Sequence, residues 1–130
     1  MDENWSPARD WLIKAQNDLA SAKLLASTAQ PIRDTAIYHC QQAGEKALKA
    51  LLAWQERPLQ KTHDLAILLN QVVSDCPDLE ALRGPADLLT PYAVEYRYPG
   101  DFVAPAQDEL NEALAAAETI LSTVAKLIAY

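Results

Sequence analysis

The 130-residue sequence has little glycine, little cysteine and no long uncharged segment. Its three glycines are isolated, so they cannot build a glycine-rich loop that cradles phosphate groups. The two cysteines and two histidines match no zinc-binding spacing, and no serine lies in a nucleophile-elbow pattern. The uncharged segments fall well short of the ~20 residues that a membrane-spanning helix needs. We therefore expect no bound metal, no cofactor and no membrane span.

The composition predicts a single all-α domain covering residues 1–130. Half of the residues are hydrophobic, which is enough for a core, and alanine, leucine, glutamate and glutamine are abundant while β-branched runs are few. The acidic N-terminus lacks the apolar region of a signal peptide. Cys40 and Cys76 are far apart in sequence, and we interpret them as reduced thiols. These features favour a cytoplasmic protein.

Helical periodicity and helix-breaking residues divide the chain into four to five helices. A Ser6-Pro7 start predicts a first helix over about 7–28, and a second helix over about 32–55 should return antiparallel to it. Gly84-Pro85 should end a short turn over about 79–83, and Thr90-Pro91 should kink the fourth helix. We predict an up-and-down bundle with two long antiparallel helices, and the remaining helices cover about 62–75, 85–95 and 106–129.

The second helix has a small apolar face and a separate polar face. The apolar face repeats at steps of three and four through Ala36, Cys40, Ala43 and Ala47. The polar face has the same period and consists of His39, Gln42, Lys46 and Lys49. Residues 33–63 carry a net charge of +2, whereas residues 64–130 carry −8. Any anion site should therefore lie in this central segment.

Three motifs of the sequence resemble those of HEPN-domain proteins. They are the run His39-Cys40-Gln41-Gln42-Ala43-Gly44-Glu45-Lys46-Ala47-Leu48-Lys49-Ala50-Leu51-Leu52, the turn Thr62-His63-Asp64-Leu65, and Arg97-Tyr98-Pro99. Gly44 stands where alanine is common in that family, at a cost of about 1 kcal/mol in a helix interior. The resemblance implies a HEPN-like helical bundle, a homodimer, and pairing with a minimal nucleotidyltransferase in a toxin–antitoxin-like system.

The first functional hypothesis is a module that binds a nucleotide, RNA or a phosphate-bearing partner. Its candidate ligand-binding residues are His39, Gln42, Lys46, Lys49, His63, Arg97 and Tyr98.

Several of these residues also have a structural interpretation. His39 can hydrogen-bond to a loop carbonyl, and His63 can tie its loop to the second helix. Lys49 has Glu45 four residues before it, so an ordinary surface ion pair is available, whereas Lys46 has no acidic residue at that position. Arg97, held by its aromatic neighbours, can stack and offer a planar fork to phosphate, or it can make a buried pair with a carboxylate such as Glu95.

A metal-independent endoribonuclease is the second hypothesis, with Arg33 and His39 as catalytic residues. Catalytic HEPN ribonucleases carry Arg, four to six residues and His on a late helix, but no histidine follows Arg97 here. An offset of six residues turns a helix by about 600°, which leaves the two side chains roughly 120° apart. We therefore interpret the match at Arg33 and His39 as coincidence and expect no catalysis. The third hypothesis is a non-catalytic dimeric scaffold.

Overall fold

The computed structural model describes residues 6–97, 99 and 103–128. Within them the chain forms five α-helices and two 3₁₀ helices, with no strand in those ranges. The predicted all-α helical bundle is confirmed. The α-helices are α1 (Pro7–Ala26), α2 (Arg33–Trp54), α3 (Leu65–Asp75), α4 (Arg83–Leu89) and α5 (Gln107–Leu127), and the 3₁₀ helices are Pro77–Leu82 and Thr90–Ala93.

Local capping residues explain where the helices begin. The Ser6 hydroxyl accepts a hydrogen bond from the Arg9 amide at 3.4 Å, and Pro7 occupies the first turn of α1. At α3, Asp64 is the N-cap, and its Oδ1 accepts from the Ala66 amide at 2.9 Å. The ends of α1, α2 and α5 lie within two residues of the predicted ends.

The segment around α4 differs from the prediction. Gly84 and Pro85 were expected to end a turn, but they lie inside the first turn of α4. Proline is tolerated there because the first amide groups of a helix have no partner within the helix. At Thr90, where a kink was expected, α4 is followed by a 3₁₀ helix, and the Thr90 hydroxyl donates to the Ala86 carbonyl at 2.9 Å.

Helix α2 lies at the centre of the bundle and packs against α1, α3, α4 and α5. Asp18 of α1 contacts Lys46, and Trp11 lies beneath Lys49, so α1 and α2 run antiparallel. At Gly44 a Cβ atom would lie 2.9 Å from Leu65 Cδ2 and 3.0 Å from Leu89 Cδ1. The glycine therefore allows α3 and α4 to approach the backbone of α2 closely. Among the described residues, no helix is sufficiently long and apolar to span a bilayer.

Candidate functional site

Two carboxylates are buried along the polar face of α2. Asp18, on α1, is 9% exposed, and Glu45, on α2 itself, is 3% exposed. A buried charge is costly unless it is paired and hydrogen-bonded. The groups that surround these two carboxylates are most of the residues that the sequence singled out.

Asp18 binds two of the candidate residues at once. Its Oδ1 lies 2.9 Å from His39 Nδ1, and its Oδ2 lies 2.6 Å from Lys46 Nζ. Lys46, which has no acidic residue four positions before it in its own helix, is therefore paired across helices. The sequence held a signal for Asp18, since it follows Ala15 by three residues and precedes Ala22 by four, on the apolar face of α1.

Glu45 accepts three hydrogen bonds. Its Oε1 lies 2.9 Å from His63 Nδ1 and 3.2 Å from Gln41 Nε2, and its Oε2 lies 3.0 Å from Lys49 Nζ. Burial alone would raise the pKa of this carboxyl, but the hydrogen bonds from His63, Lys49 and Gln41 outweigh burial and hold the pKa of Glu45 below its ordinary value. Glu45 is therefore ionised near neutral pH.

The Glu45–Lys49 pair has the spacing of an ordinary surface ion pair but not the environment of one. The sequence made an ordinary surface ion pair available here, but the two side chains are only 4% and 13% exposed, so the pair is largely buried. Gln42 extends the same network, because its Nε2 donates to Gln41 Oε1 at 2.7 Å. The polar face of α2 is thus a row of cations and amides whose charge is largely balanced by two carboxylates.

His63 ties the connection between α2 and α3 to α2. Its ring reaches Glu45, and its carbonyl accepts a hydrogen bond from Gln41 Nε2 at 3.0 Å. The side chain is nevertheless 70% exposed. One ring nitrogen is therefore anchored on a buried carboxylate while most of the ring faces solvent.

Arg97 contacts α2 through Tyr38, an aromatic residue that was not among the candidate ligands. Its guanidinium carbon lies 4.4 Å from the centroid of the Tyr38 ring, and its Nη1 donates to the Ala93 carbonyl at 2.7 Å. The same tyrosine packs edge-to-face with the His39 ring, with centroids 5.9 Å apart. Tyr98 lies outside the described residues. A cavity of about 200 Å³ beside Arg97 is lined by Asp34, Thr35, Tyr38, Tyr96 and Arg97.

The two residues of the ribonuclease hypothesis contact different parts of the chain. Arg33 Nε donates to the Pro105 carbonyl at 2.7 Å, in the segment before α5. His39 contacts Asp18 of α1. The described contacts of one chain therefore do not join Arg33 and His39 in a shared site.

A larger cavity opens between α1 and Lys46 of the polar face. Its volume is about 550 Å³, and its lining comprises Pro7, Asp10, Trp11, Lys14 and Lys46. Lys49 Nζ lies 5.4 Å from the centroid of the Trp11 ring. Of these residues, the sequence had indicated only Lys46 and Lys49 as ligands. The missed signal is the three-residue spacing of Trp11 and Lys14, which places an aromatic ring and a cation on one helix face.

This cavity combines a flat ring with ammonium groups. Its volume lies within the range of about 300–1,000 Å³ that is typical of small-molecule sites. Within the described ranges, no three histidine, cysteine, aspartate or glutamate side chains cluster in a way that could hold a metal ion.

Comparisons with known proteins agree with the helical architecture. Residues 8–127 match the family model described as HEPN domain. The structure is similar to the crystal structure of TT1696 from Thermus thermophilus, with a TM-score of 0.81, 30% identity, and coverage of 94% of this chain and 98% of that one.

It is also similar to ST0689, described as an archaeal HEPN homologue, with a TM-score of 0.71 and 26% identity over 93% of this chain and 97% of that one. No curated protein matches the sequence. The family model covers nearly all of the helical bundle, and the chain belongs to the HEPN-domain family.

Proposed function

We propose that this HEPN protein is a binding module for a nucleotide or a phosphate ester of nucleotide size. The ligand would occupy the cavity between Trp11 and Lys46. The observation that carries the proposal is the presence, in one cavity of about 550 Å³, of a tryptophan ring and the side chains of Lys14 and Lys46.

The chemistry of the lining fits the two halves of a nucleotide. A base stacks on an aromatic ring with a gain of about 1–3 kcal/mol, and Trp11 offers such a ring. Lys14 is exposed, so its ammonium can approach a phosphate, and Lys46 lies at the same cavity.

Nearby carboxylates limit the strength of this binding. Asp10 lines the cavity, and Asp18 holds Lys46 at 2.6 Å, so the excess positive charge is small. We expect modest affinity that weakens as salt is added.

Calorimetric titration with AMP, ATP, GMP and inorganic phosphate tests the proposal. Nucleotides should bind more tightly than phosphate alone, because phosphate cannot stack on Trp11. Lys14→Ala should weaken binding several-fold, whereas Lys126→Ala, which removes a lysine from the last turn of α5, should leave it unchanged.

Trp11→Leu should weaken nucleotide binding by about tenfold or more, in keeping with the loss of stacking. Trp54→Leu is the matched control, since Trp54 is an exposed tryptophan at the C-terminal end of α2. The absence of binding by every nucleotide at millimolar concentration, with the protein shown to be folded, would reject the proposal. Cleavage of RNA in the presence of chelator, abolished by His39→Ala, would replace it with the ribonuclease hypothesis.

The partner proposals rest on membership of the HEPN family. We infer a homodimer that pairs with a minimal nucleotidyltransferase in a toxin–antitoxin-like system of the cytoplasm. Exposed apolar side chains such as Leu24, Ile32 and Val94 are compatible with contact surfaces. Light scattering of the purified protein tests the dimer, and co-purification with a nucleotidyltransferase encoded beside it tests the pairing. A monomer that retains no such partner would contradict both.

A further inference from the structure

The turn that carries His63 is held in place on both sides. The Asp64 amide donates to Thr62 Oγ1 at 3.1 Å, and the Leu65 amide donates to Thr90 Oγ1 at 3.2 Å. The His63 carbonyl is fixed by Gln41 Nε2. The backbone that positions this imidazole is therefore bound to α2 and to the start of the 3₁₀ helix Thr90–Ala93, and the ring is presented from a defined place.

The hydrogen bond to Glu45 decides which nitrogen of His63 carries the proton. An ionised carboxylate only accepts hydrogen bonds, so Nδ1 at 2.9 Å from Glu45 Oε1 must be the donor. In the neutral imidazole the lone pair then resides on Nε2. Because the side chain is 70% exposed, reagents can approach the ring from solvent.

A carboxylate on Nδ1 also stabilises the positive charge that the ring acquires when Nε2 forms a new bond. Glu45 has this position, and Lys49 and Gln41 keep its charge in place through hydrogen bonds of 3.0 and 3.2 Å. An accessible Nε2 with such support has the properties of an activated nucleophile.

We propose that Nε2 of His63 accepts a transferable phosphoryl group. In the step, the Nε2 lone pair attacks the phosphorus of a donor such as phosphoramidate and forms an N–P bond. The bond between phosphorus and the donor's protonated amino group breaks, and its electron pair leaves with ammonia. The Nδ1 proton stays on the ring and remains hydrogen-bonded to Glu45, which balances the charge of the phosphorylated imidazole.

His39 provides an internal comparison within the same chain. Its Nδ1 is also anchored on a carboxylate, at 2.9 Å from Asp18 Oδ1, but its side chain is only 29% exposed. If anchoring and exposure are both required, His63 should react and His39 should not.

The test is incubation of the whole protein with potassium phosphoramidate, followed by mass spectrometry of the intact chain and of its peptides. We expect the mass of one phosphoryl group on His63, stable in alkali and lost in acid. His63→Ala should remain unmodified, while His39→Ala should react as the wild type does. The rate at His63 should exceed that of N-acetylhistidine under the same conditions by about tenfold.

Glu45→Gln separates an activated nucleophile from an imidazole that is merely exposed. It should lower the rate at His63 to that of N-acetylhistidine while circular dichroism still shows a folded helical protein. If this variant fails to fold, the comparison of wild-type His63 with N-acetylhistidine decides by itself. Equal rates in that comparison, equal modification of His39 and His63, or no modification of the wild type would each overturn the proposal.

Discussion

Lys46 Nζ lies 2.6 Å from Asp18 Oδ2, so this lysine of α2 has its counter-ion on α1. His39 occupies the other oxygen of the same carboxylate. The polar face of α2 therefore helps to hold α2 against α1, in addition to forming part of the protein surface. A ligand in the cavity between Trp11 and Lys46 must therefore share Lys46 with Asp18.

Asp18→Asn should destabilise the fold by about 1–3 kcal/mol, because hydrogen bonds to charged groups contribute about that much and this pair is largely buried. Urea unfolding at pH 7 measures the change. The matched control is Glu118→Gln, which breaks an exposed ion pair between Lys23 and α5. It should cost at most about 1 kcal/mol. Equal losses in the two variants would show that the Asp18 pair is no more important than a surface pair.

The long helices were predicted well from the sequence because the residues that start a helix lie within a few positions of its first turn. Ser6, Pro7 and Asp64 act within a few residues of their own positions. The polar network was incompletely predicted because its pairing is tertiary. Neither the contact of Asp18 with Lys46 nor that of Arg97 with Tyr38 follows from spacing along one helix. Only the folded chain shows which helices supply the partners.

Glu45 should make the free energy of unfolding decrease at acidic pH. Its pKa is lowered in the folded protein, so its stabilising contribution is fully present above the pKa of the unfolded chain. The contribution diminishes as the pH falls below the pKa of an ordinary glutamate, which is about 4.3. It is lost once the pH is below the lower pKa that Glu45 has in the folded protein. Urea unfolding of wild type and Glu45→Gln between pH 7 and pH 3 measures it. The difference between the two proteins should shrink as the pH falls, and a constant difference would refute the assignment.

Gly44 should tolerate alanine but not a larger residue. A methyl group gains about 1 kcal/mol of helix propensity, but it must displace the Leu65 and Leu89 methyl groups. These are the ends of flexible side chains, so Gly44→Ala should change the free energy of unfolding by less than about 1 kcal/mol. Gly44→Val should destabilise by about 1–3 kcal/mol through overpacking. Gly84→Ala is the control, because a Cβ there meets nothing within 4 Å.

The two cysteines should react with thiol reagents at very different rates. Cys40 is buried in the core, and burial raises the pKa of its thiol to about 12, with a backbone hydrogen bond opposing that rise. Cys76, beside the 3₁₀ helix Pro77–Leu82, is only partly buried. Because the thiolate is the reactive form, iodoacetamide at pH 8 should label Cys76 first. Cys40 should be labelled only when the bundle opens, so its rate should rise with urea. The Cys76→Ser variant should lose the fast phase and keep the slow one, and a fast phase that persists in this variant would show that Cys40 is accessible in the folded bundle.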